Sequence, residues 1–120
     1  MTVRGVTMAL ELIESGDFMK IDMRVGKIIS AEIAGGVTKA AYKLIVDFGA
    51  GVGEKKSIAQ LTHYPADKLV GRQILGVINL HPRQIGPHRS EVLILGVATH
   101  DKGTALIIPD QEAIIGAKVF

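Results

Sequence analysis

Polar and apolar residues alternate from Tyr42 to Phe48, placing Tyr42, Leu44, Val46 and Phe48 on one face and Lys43, Ile45 and Asp47 on the other; this predicts a strand over Ala40 to Phe48. A similar alternation through Arg24-Val25-Gly26-Lys27-Ile28, interrupted at Ile28-Ile29, predicts a strand over Met23 to Ala31. Gly26 in its middle points to a bulge or sharp bend. Further strands are predicted over Lys55 to Leu61, Gln73 to Leu80 and Ser90 to Val97, with a shorter one over Ala105 to Ile108. Two stretches follow helical spacing instead. In Thr7 to Ser15, Met8 faces Leu12 and Ala9 faces Ile13, Thr7 can cap the start and Gly16 supplies a stop. A helix this short is marginal alone and needs a surface to pack on. Thr62 to Val70 carries Pro65 in its first turn and Gly71 just past its end. His81 to His88, broken by Pro82, Gly86 and Pro87, reads as a loop. Short strands joined by Gly and Pro turns, with one interposed helix, predict a small all-β barrel.

The size of the chain agrees with one such domain. It has 120 residues, 48% of them hydrophobic and 22% charged, enough for a packed core. There is no cysteine, which excludes a disulfide framework, a thiol nucleophile and any cysteine-based zinc site. Apolar runs such as Val92 to Ala98 are far shorter than the ~20 residues of a membrane-spanning helix. The start of the chain lacks the apolar centre of a signal peptide, so a cytoplasmic protein without membrane insertion is expected. The net charge of +2 hides a segregation: residues 33 to 90 carry +5, while both flanks are slightly acidic. Between Lys68 and Ser90 there is no acid at all. A basic middle suits an acidic or backbone-rich partner, with Lys39, Lys55, Lys56 and Arg89 as its candidate basic face.

Enzymatic chemistry finds little to stand on. The cluster Gly49-Ala50-Gly51-Val52-Gly53 is not a phosphate loop, because Glu54 stands where a Walker A loop or a dinucleotide fingerprint needs glycine, and a strand follows. The histidines, at positions 63, 81, 88 and 100, form no i,i+4 pair, so no metal site is expected and no cofactor is implied. Ser90-Glu91 and His100-Asp101 are adjacent pairs, and neighbours on a strand point to opposite faces. A binding protein is expected, not an enzyme. The candidates for binding are polar residues on otherwise apolar strands: Ser57, Gln60, Asn79, Ser90 and Glu91, with Arg83 in the loop. Amides and hydroxyls at strand ends can read a peptide backbone or a nucleotide edge, and they can equally satisfy hydrogen bonds at the barrel end. With only five aromatic side chains, stacking of single-stranded bases is poorly supported.

Taken together, these segments resemble the tRNA-binding OB-fold family, whose module also occurs appended to methionyl- and phenylalanyl-tRNA synthetases. The likeness is carried by Asp17 to Ile28 (Asp-Phe-Met-Lys-Ile-Asp-Met-Arg-Val-Gly-Lys-Ile), Lys39 to Gly49 and Ser57 to Thr62, then by Gly71 to Asn79, Pro82 to Ile85, Ser90 to Gly96 and Pro109 to Gln111. Within the family it is closer to the CsaA-type export-related chaperones than to the tRNA-binding members. Those usually have an Asn-Ala-Asp-Lys-Leu-like stretch at Lys39 to Lys43 and Gly-Met at Val92-Leu93. The resemblance implies a five-stranded OB barrel over residues 17–120, with short capping helices and a helical extension at 1–16. It also implies a homodimer formed partly through the N- and C-terminal extensions, and a pocket for unfolded polypeptides at Ser57, Gln60, Asn79, Arg83, Ser90 and Glu91, with Lys43 at the rim. The alternative it implies is a tRNA-binding module that recognises RNA shape and phosphates. Leu80-His81 stands where CsaA-like chains often have Phe-Pro, and Lys56 where they have a second Ser, which makes the expected site more basic and less apolar.

Overall fold

The computed structural model describes the backbone at Thr2–Val3 and Val6–Thr7 and the complete residues from Met8 to Phe120. In chain order the elements are β1 (Thr2–Val3), β2 (Val6–Thr7), α1 (Ser15–Phe18), β3 (Met23–Ile33), β4 (Tyr42–Asp47), β5 (Glu54–Ala59), α2 (Ala66–Leu69), β6 (Gln73–Val77), β7 (Arg83–Ile85), β8 (His88–Ser90), β9 (Leu93–Ile94), β10 (Gly96–Ala98) and β11 (Thr104–Leu106). Five of them form one antiparallel sheet in the order β5-β4-β3-β6-β9, curled into a nearly closed barrel. This all-β barrel with few, short helices is the expected fold. The alternation in β4 sets its interior: Leu44, Val46 and Phe48 are fully buried, joined by Ile28 of β3, Ile74 of β6 and Leu69 of α2.

The barrel closes where β5 meets the chain at Ser90 to Val92, and side chains do much of the closing. Glu91 donates its backbone N–H to the Lys56 carbonyl (2.8 Å), and its carboxylate accepts the Lys56 N–H (2.9 Å). The Ser90 hydroxyl accepts the Ile58 N–H at 3.1 Å, and the Ser57 hydroxyl donates to the Val92 carbonyl at 3.0 Å. A mixed seam of this kind bends the chain. The strand expected over Ser90 to Val97 is therefore three pieces, with β8 turned toward β7, β9 paired with β6, and β10 paired with β11.

Three further expectations are corrected. Among the described residues of Thr7 to Ser15 there is no helix before Ser15; Met8, Leu10, Leu12 and Ile13 stand 59–100% exposed, so the amphipathic face has nothing to pack on. The Thr7 side chain, proposed as its cap, lies outside the described residues. The helix that does form, α1, starts later and contains Gly16 instead of stopping at it. The loop expected over His81 to His88 is a hairpin, in which Arg83 pairs with Ser90 and Ile85 with His88, while Gly86 and Pro87 form its tip. Gly26 is not a bulge either; the register shift of β3 against β4 lies between Ile28 and Ser30.

The C-terminal segment is strapped to the barrel. Gln73 and Ala113 exchange two hydrogen bonds (2.7 and 2.8 Å), and the Val25 and Val119 N–H groups donate across to Ala117 and Met23. Arg24 bonds the Asp22 carboxylate at 2.6 Å and the Gly116 carbonyl at 3.1 Å. The hydrogen bond from Arg24 holds the Asp22 carboxyl below its ordinary value, against a smaller opposing effect of burial.

Candidate functional site

Beside the seam runs an open groove of about 740 Å³, to which β5, the stretch from Ser90 to Leu95, the β7–β8 hairpin and the β10–β11 hairpin all contribute. Leu80, Leu93 and Val97 line it while staying 50–53% exposed, so the groove presents apolar carbon to water. A smaller hollow of about 330 Å³ adjoins it, sharing Ile58, Gln60 and Ile85 and reaching Lys39. The β10–β11 turn at the rim is set by Asp101, whose carboxylate accepts the Thr99 hydroxyl and the Gly103 N–H; the first of these most strongly lowers the Asp101 pKa.

The candidate residues divide by position. Ser57, Gln60, Arg83, Ser90 and Glu91 all line the groove. Ser57, Ser90 and Glu91 are also engaged in the seam, Ser57 fully buried. Gln60 and Arg83 make no side-chain hydrogen bond or ion pair among the described residues, which leaves both free to meet a ligand. Asn79 does not line the groove. Its side chain accepts the Asp22 N–H at 2.9 Å and donates to the Lys20 carbonyl at 2.8 Å, tying the chain before β3 to the end of β6. Lys43 also lies off the groove, with its ammonium 3.8 Å from the Glu32 carboxylate.

The four basic-face candidates are not on one face. Lys55 stands opposite buried Val46 and Lys56 opposite Ile45, so these neighbours project to opposite sides of β5. Lys39 lines the smaller hollow, and Arg89 is exposed on β8. Sequence reasoning missed Leu80, Val97 and Lys102 as groove residues. Val97 sits in an apolar run that reads as core, and only the splitting of that run brings it to the surface. Among the described residues, no three His, Asp or Glu side chains gather where they could hold a metal ion.

A model of the family described as "Putative tRNA binding domain" matches residues 23–118. The chain belongs to the tRNA-binding domain family. Its barrel is the OB fold of that family and is similar to the CsaA chaperone protein from Picrophilus torridus, with a TM-score of 0.87 and 42% identity, covering 91% of this chain and 100% of that one. It is likewise similar to the chaperone CsaA from Bacillus anthracis, with a TM-score of 0.85 and 33% identity over 92% of this chain and 100% of that one. The methionine–tRNA ligase of Bacteroides fragilis is 32% identical over 108 residues, which are 89% of this chain but only 16% of the ligase. This tRNA-binding domain therefore corresponds to a small part of such ligases and to the full length of the two CsaA structures.

Proposed function

We propose that this tRNA-binding domain protein is a CsaA-like chaperone that binds unfolded, export-related polypeptides in the cytoplasm, as a homodimer and without catalysing a reaction. The groove is the observation that carries this reading. It presents half-exposed Leu80, Leu93 and Val97 beside the polar groups of Gln60 and Arg83, which have no partner among the described residues. That mixture suits a chain segment of varied sequence: apolar side chains find cover, and polar ones find a partner. At ~25 cal/mol per Å² of apolar surface, such contacts offset the loss of freedom on association only modestly, so each groove binds weakly. Two grooves in one dimer raise the effective affinity for any client long enough to reach both. Dimerisation is supported by the exposed Met8, Leu10, Leu12 and Ile13 at one end of the chain and Ile114 and Phe120 at the other.

A second reading, tRNA binding, is favoured by the family and by the exposed cations Lys39, Arg83 and Arg89, which have no ion-pair partner among the described residues. The two are separated by competition. A fluorescently labelled unfolded export precursor is bound, and bulk tRNA is added at low and at high salt. The chaperone reading expects little displacement and a shallow salt dependence. Ready displacement that is strongest at low salt would instead assign the cations to phosphates.

A further inference from the structure

The β10–β11 hairpin treats its two outer edges differently. The Thr99 N–H bonds the Gly103 carbonyl and the Ile107 N–H bonds the Leu95 carbonyl, which fixes the phase of the ladder. With Val97 opposite Ala105, the Val97 backbone faces β11, and Gly96 and Ala98 turn their N–H and C=O groups outward. On the β11 side the outward N–H groups are capped: Thr104 donates to the His63 ring (3.4 Å) and Leu106 to the Tyr64 hydroxyl (3.2 Å). On the β10 side, Gly96 and Ala98 have no hydrogen-bond partner among the described residues. Exposed strand edges are usually guarded by a charge, a proline or a bulge. Gly96-Val97-Ala98 has none of these, is exposed throughout and lines the groove.

We infer that the groove takes its polypeptide as an added β-strand, paired to the free edge of β10 through the backbone of Gly96 and Ala98. This rests on the polypeptide-binding reading above and names its mode. Main-chain pairing explains how one site accepts unrelated sequences, because every residue except proline brings the same donor and acceptor. Alternate side chains of the guest meet the apolar lining at Leu93 and Val97. The charge of the groove narrows the guest further. Arg83 and Lys102 line it with no ion-pair partner among the described residues, against a single lining carboxylate, Glu91, which keeps its charge while accepting the Lys56 N–H. The favoured guest is an extended apolar segment carrying a carboxylate.

The test uses the full chain and reduced, carboxymethylated α-lactalbumin, an unfolded probe with carboxylates. Proline at position 98 removes only an outward N–H and no bond of the β10–β11 ladder. Ala98→Pro is therefore expected to keep the fold and bind the probe at least tenfold more weakly. Amide hydrogen exchange on the unaltered chain is expected to show new protection at Gly96 and Ala98 when the probe binds. Binding with no protection at these amides overturns the strand mode and leaves polypeptide binding standing. Failure of the probe to bind overturns polypeptide binding itself, and the strand mode with it. Protection already present without probe, rising with protein concentration, would give the edge to a second copy of this chain and also overturn the proposal. If Ala98→Pro does not fold, the exchange pattern alone decides.

Discussion

Phe48 is fully buried, and the space for its ring is made by two glycines. A Cβ on Gly26 would lie 2.5 Å from Val46 Cγ1 and 2.8 Å from the Phe48 ring, and one on Gly76 would lie 2.9 Å from the same ring. Gly26→Ala is expected to destabilise the barrel by ~1–3 kcal/mol, the usual range for overpacking, read as a lower urea midpoint. A glycine in a strand announces a missing side chain but not what fills the gap, which is why Gly26 reads from sequence as a bend. The same limit applies to Asn79, whose partners Lys20 and Asp22 lie almost sixty positions away. Asn79→Ala is expected to lower the unfolding midpoint while leaving polypeptide affinity within twofold of the unaltered chain. Arg83→Ala should do the reverse, weakening binding severalfold in a fluorescence titration with no change in the midpoint.

The strand β4 is legible because its alternation reports both of its faces at once: Tyr42, Leu44, Val46 and Phe48 are buried and their neighbours only partly covered. The helix expected over Thr7 to Ser15 is not, because spacing describes a face and says nothing of whether a surface waits for it. The β7–β8 hairpin is hidden by Pro82 at its flank and Pro87 at its tip, which make the stretch look like loop. One tie of the C-terminal strap, from Arg24 to Gly116, is positioned by Asp22, and its pH response follows from the carboxyl's lowered pKa. A folded-state value below the unfolded one means the stabilisation is complete above the ordinary value of 3.8 and fades as pH falls through the lower, folded value. Thermal midpoints of the unaltered chain and Asp22→Asn are expected to differ at pH 7, to begin to approach each other as pH falls below 3.8, and to converge only below the lower, folded value. Equal midpoints at pH 7 would assign the strap to Gln73 and the backbone alone.

For the molecule as a whole, the barrel was legible through strand periodicity, and the polar residues picked out on apolar strands include five that line one groove: Ser57, Gln60, Arg83, Ser90 and Glu91. What could not be read was the division of labour, since a hydroxyl that closes a barrel and one that meets a ligand look identical until the opposite strand is in place. Assembly is tested at this scale too. Leu10→Glu combined with Leu12→Glu places two charges on the exposed apolar segment and is expected to yield a monomer by light scattering, with the barrel's unfolding midpoint unchanged. The seam has a consequence for how such a protein can be altered. Ser57, Ser90 and Glu91 both close the barrel and line the groove, so variation there alters the groove only by loosening the fold. The β7 arm, the tip at Gly86-Pro87 and the β10–β11 hairpin are free of that double duty. Under the proposed function, a lineage or an engineer retargeting the groove would find its room for change in those parts, with the seam staying nearly constant between variants.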